Sequence, residues 1–172
     1  AQQTNFGERV HDLAYAAPAH WREVAVLSTR PAGKERGLAA ADGLIHGRNA
    51  DEYRRKTGQP PTERAWQVAI LAAQQLIEIG LAVVRSRESS VAVCDRVSNW
   101  LQRLIETPRL LTLAERIEAG NLLGRLGDPR FAVKHAPDGT AYILPVPVCI
   151  EAGLFEMGSH KTELWVSNNE YS

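Results

Sequence analysis

Three apolar stripes at helical spacing occupy the middle of this chain, and they limit it to a fold in which several helices share a core. Trp66, Ala69, Ile70, Ala73 and Ile77 stand at i, i+3, i+4, i+7 and i+11, which is one face of a helix with 3.6 residues per turn. Ahead of them, Thr62 can accept from first-turn amides, and Glu63 puts a carboxylate at the positive end of the helix dipole. Gly80 marks the end. A second stripe, Val93, Val97, Trp100, Leu101 and Leu104, predicts a helix from Glu88 to Ile105. Thr107-Pro108 stops it, because a residue before proline is pushed out of the helical region. The third helix opens on Thr112-Leu113-Ala114-Glu115, a capping box, carries Ala119, Leu122, Leu123 and Leu126 on one face, and closes at Gly127. Short connections favour antiparallel neighbours, so the expected architecture is mainly α: a helical bundle or a HEAT-like α-solenoid. No strict internal repeat separates the two.

On the N-terminal side, Phe6 to Gly47 is Ala-rich, with turn signals at Pro18 and at Pro31-Ala32-Gly33. It reads as two or three short helices, with Trp21, Val24 and Ala25 on a core face. Arg48 to Pro61 is polar, contains Gly58 and Pro60-Pro61, and is expected to be a loop or linker. After Asp128-Pro129-Arg130 the composition changes. Prolines 137, 145 and 147, glycines 139, 153 and 158, and the runs Tyr142-Ile143-Leu144 and Val146 to Ile150 favour β structure. The expected division is a helical scaffold at 1–130 and a small, incomplete β-rich segment at 131–172.

Charge and cysteine usage narrow the function classes. Lys+Arg and Asp+Glu are both 20, so no global field draws in nucleic acid or an anionic membrane surface. The uncharged stretches fall well short of the roughly 20 apolar residues that span a bilayer, and AQQTNFGERV is not a signal peptide. A soluble, cytoplasmic chain is expected, with no membrane or nucleic-acid partner. Cys94 and Cys149 form no ligand cluster and are expected to be reduced and buried. The start lacks an initiator Met, and the chain stops within what reads as an element at Tyr171-Ser172. Both ends therefore read as cut.

The residues able to carry chemistry are dispersed. His11, His20, His46, His135 and His160 do not share a helix face with a carboxylate at ligand spacing, and the pair His20 and Glu23 reads as a solvated contact. There is no G-x-S-x-G and no G-x-x-x-x-G-K-[ST]. Arg48, Arg54, Arg55 and Lys56 beside Tyr53 could meet phosphate, but Asp51 and Glu52 make a solvated mixed-charge loop the better reading. Trp21, Trp66, Trp100 and Leu126 are candidate core residues, whereas Trp165 lies outside any defensible helix. No catalytic residue, cofactor or metal is assigned.

Two segments go beyond generic helix. His20-Trp21-Arg22-Glu23-Val24, and later the run from Ala114 through Leu126-Gly127-Asp128-Pro129-Arg130, resemble the helical region behind the NACHT module of bacterial STAND (NLR-like) NTPases. Beyond it, Ile150 to Ser159, with Gly153, Met157 and Gly158, resembles the opening strand motif of the formylglycine-generating-enzyme (sulfatase-modifying factor) family. Val166-Ser-Asn-Asn-Glu-Tyr171, with Asn168 and Tyr171, is similar to that family's V-T-N-x-x-Y. The resemblance implies a C-type-lectin-like domain beginning near residue 131. It also implies a non-catalytic scaffold and sensor segment that binds a protein or other ligand, an oligomer formed through an NTPase module outside this chain, and a role in bacterial signalling or defence. The alternatives are part of a formylglycine-generating-enzyme-like oxidase and a free-standing helical adaptor. None of the oxidase's copper-binding positions is present, so no catalytic residue carries over.

Overall fold

The computed structural model describes residues 6–27, 33–107, 111–145, 147, 149 and 151–153. Among these, eight helices precede one two-stranded antiparallel sheet. The helices are α1 (Phe6–Ala16), α2 (Pro18–Leu27), α3 (Lys34–Leu44), α4 (Ala50–Thr57), α5 (Glu63–Ile79), α6 (Leu81–Val84), α7 (Glu88–Glu106) and α8 (Leu113–Leu126); the strands are β1 (Phe131–His135) and β2 (Ala141–Pro145).

The predicted stops operate where the residues put them. Thr62 Oγ1 accepts from the Ala65 amide to open α5, and Gly80, at φ 100°, ends it. Thr112 and Glu115 form a reciprocal capping box on α8, satisfying donors that a helix start leaves without an intrahelical partner. α7 runs one residue further than its stripe predicts, and Thr107 leaves it in an extended conformation.

The expected linker at residues 48–61 is corrected by the structure: α4 lies inside it. Asn49 accepts from the Glu52 amide while the Glu52 carboxylate accepts from the Asn49 amide, and Gly58 closes the helix at a left-handed φ of 70°. Tertiary contacts complete it. Asn99 Oδ1, on α7, accepts from the Ala50 amide at 3.0 Å, and Arg103 binds Asp51 at 3.0 Å. The eight residues of α4 bury only Ala50 fully, so no apolar stripe announces the helix.

α5 is the hub. Its buried residues include Val68, Leu71, Ala72, Gln75 and Leu76 as well as the predicted stripe from Trp66 to Ala73; α1, α2, α3, α6, α7 and α8 all pack on it. A helix covered on nearly every side belongs to a bundle, since a solenoid's units touch only their neighbours. Of the aromatic core candidates, Trp66 and Trp100 are buried and meet edge to face with centroids 5.1 Å apart, while Trp21 is only half-buried. Val24 is 52 % exposed. The short α2 docks through Ala25 instead, whose carbonyl accepts from Gln75 Nε2 at 2.9 Å.

The chain divides into two compact units, Ala1–Phe131 and Ala132–Ser172. The sheet is a hairpin whose turn is built on Pro137-Asp138-Gly139: the Gly139 amide bonds to the Ala136 carbonyl, Asp138 Oδ1 accepts from Thr140, and Gly139 takes φ 84°. Tyr142, Ile143 and Leu144 do form a strand, yet all three are exposed. Cys149, expected to be buried in a strand, is exposed and in neither helix nor strand. Val146, Val148, Ile150, Met157, Gly158, His160, Trp165, Asn168 and Tyr171 lie outside the described residues.

Candidate functional site

A groove of about 800 Å³ lies between α2, α5 and α8 of the helical unit. α2 begins at Pro18, whose ring is pre-set for a first helical turn, and buries Ala25. Val26, Ile77 and Leu122 form an apolar floor, with Ile117 and Leu27 on the rim at 56 % and 68 % exposure. Arg22, Glu23, Asn121 and Arg125 add polar groups of both signs.

A polar seam closes the inner side of the groove. Glu118 on α8 accepts from Arg22 on α2 and from Gln74 on α5. One helical turn earlier, Glu115 accepts from Gln67 Nε2 at 2.9 Å. Partial burial pushes the Glu115 carboxyl up, but hydrogen bonds from Thr112 and Gln67 outweigh it and hold the group below its ordinary value. Both carboxylates thus sit among hydrogen-bond donors that link α8 to its neighbours.

The other sequence candidates sit apart from this groove. Arg54, Arg55 and Lys56 lie exposed on α4, while Tyr53 turns inward, edge to face with Trp100 at 5.3 Å. His20 is exposed beside Trp21, with ring centroids 5.7 Å apart. Cys94 is buried in α7, which raises its thiol and disfavours the thiolate. Among the described residues no three His, Cys, Asp or Glu side chains are grouped to hold a metal ion. No helix among them is long and apolar enough to cross a membrane. Gly153 is exposed, with open space where a Cβ would stand.

The groove itself has little forewarning in the sequence, because Ile117 and Leu27 look like any apolar residues of amphipathic helices until their exposure is known. A partial signal is that Ile117 falls off the Ala119, Leu122, Leu123, Leu126 face. No family model, curated protein or solved structure matches the chain. An apolar floor with a rim of mixed charge fits a peptide or helix laid along it.

Proposed function

We propose that this chain is the helical scaffold, and the opening of a ligand-sensing domain, of a cytoplasmic STAND-type NTPase in bacterial signalling or defence, and that it is not itself catalytic. One juxtaposition supports the reading. The two helical segments that resemble such proteins, His20 to Val24 and the α8 run from Ala114, pack on the same helix and are joined by Arg22 and Glu118, 96 positions apart.

The groove then takes a protein segment, and assembly runs through the NTPase module outside this chain. The first experiment is the intact mass of the polypeptide made from its own gene. A mass far above 19.0 kDa, with magnesium-dependent ATP hydrolysis, is expected; a mass near that value overturns the reading and favours a free-standing adaptor. In the full-length protein, Ile117→Glu should leave the helical circular dichroism unchanged while weakening ligand-triggered assembly by about tenfold or more, the effect of a contact central to an interface.

A further inference from the structure

We propose that the ring pair His11 and His46 is a pH-sensitive latch that holds α1 against the corner between α3 and α4 at neutral pH and releases it on acidification. The two imidazoles come from different elements and meet with ring centroids 4.0 Å apart. They lie inside a run of rings: Tyr15 stacks on His11 at 5.3 Å, and Tyr53 stacks on His46 at 5.9 Å. His46 reaches this position from the left-handed region, at φ 54°, where a residue with a Cβ is uncommon.

The inner ring of the pair is closed off from water. His11 is 9 % exposed, and its Nδ1 bonds to Asp12 Oδ1 at 3.2 Å, which assigns the proton to Nδ1. Its Nε2 is buried with no hydrogen-bond partner. A proton added to His46 would place a positive charge on a ring whose centroid is 4.0 Å from that of this enclosed imidazole.

The surrounding groups give little compensation. On α1, the carboxylate acting on the pair is Asp12, and its side chain is 81 % exposed, so water screens it. Tyr15 beside it shares a hydrogen bond with Thr62 Oγ1 at the start of α5, at 2.9 Å. The connection after α3 brings Arg48, a further positive charge. Asp42 on α3 lies by the Gly47 turn but is already engaged by Arg96 from α7, at 2.6 Å and 3.0 Å. From α4 the neighbour is Tyr53, a phenol.

His46 keeps an exposed edge, but partial burial of its ring, then His11, then Arg48 hold it below its ordinary 6.5. The docked state therefore binds fewer protons than the released one. Docking is at full strength above pH 6.5 and weakens as pH falls from there toward the lowered value, by up to about tenfold for each pH unit between the two. Release uncovers Ala41, Leu44 and Ile45, which are now among the most buried residues.

Hydrogen exchange on the whole chain at pH 7.5 and 5.5, corrected for intrinsic rates, tests the latch. The amides of α1 should lose up to about tenfold in protection on acidification while those of α7 and α8 keep theirs. In His46→Asn, a side chain that tolerates positive φ, the response of α1 should shrink several-fold. Equal loss in every helix, or an unchanged response in His46→Asn, overturns the proposal. So does a wild-type NMR titration in which His46 takes up its proton at or above pH 6.5.

Discussion

At the scale of single residues, burial and polar partners divide the aromatic side chains into anchors and passengers. Trp100 is 1 % exposed, lies between Trp66 and Tyr53, and donates from Nε1 to the Arg48 carbonyl at 2.8 Å. It therefore fills core volume and also fixes the chain before α4. Trp66 is equally enclosed but has no hydrogen-bond partner on Nε1, so its contribution is packing alone. Trp100→Ala should lower the unfolding free energy by about 3–5 kcal/mol in urea titrations. Trp100→Phe keeps most of the packing, and should cost only about 1–3 kcal/mol for the carbonyl left behind. Trp21, half-buried on a short helix, is a passenger by comparison. Helical spacing could not distinguish these cases, because periodicity reports a face and not the depth of what covers it.

At the scale of elements, helices with apolar stripes were legible and the helix without one was not. α5, α7 and α8 carry four or more core residues each, and their ends coincide with Thr62, Gly80, Thr107, Thr112 and Gly127. α4 instead forms through its capping box and the reach of Asn99 and Arg103 from α7. Its local signal, Asn49-Ala-Asp-Glu52, is the same box as Thr112 to Glu115, hidden between an arginine cluster and two prolines. Asn49→Ala should cost about 1 kcal/mol by chemical denaturation, and hydrogen exchange should show the loss concentrated in residues 50–57. Asp51→Asn should change stability at pH 7 by less than about 1 kcal/mol, since Asp51 and Arg103 are both largely in water.

At the scale of the molecule, the helical unit has a hydrophobic core of its own, running from Ala14 to Leu126. A chain of residues 1–131 should therefore keep its helical circular dichroism and unfold in one cooperative transition, as small single domains do. Loss of cooperativity on that truncation would mean that the β-rich segment supplies core contacts. The sequence by itself determined the mainly helical class, the three long helices and the change to β structure after Pro129, because each rests on local patterns: apolar period, caps, and the backbone limits of proline and glycine. Only the tertiary structure decided that α5 is enclosed by its neighbours, that α4 exists, that Cys149 is exposed, and that α2 and α8 leave a groove between them. These depend on which faces meet, and two faces with the same residues are buried or open according to the lengths and partners of helices far away in the chain.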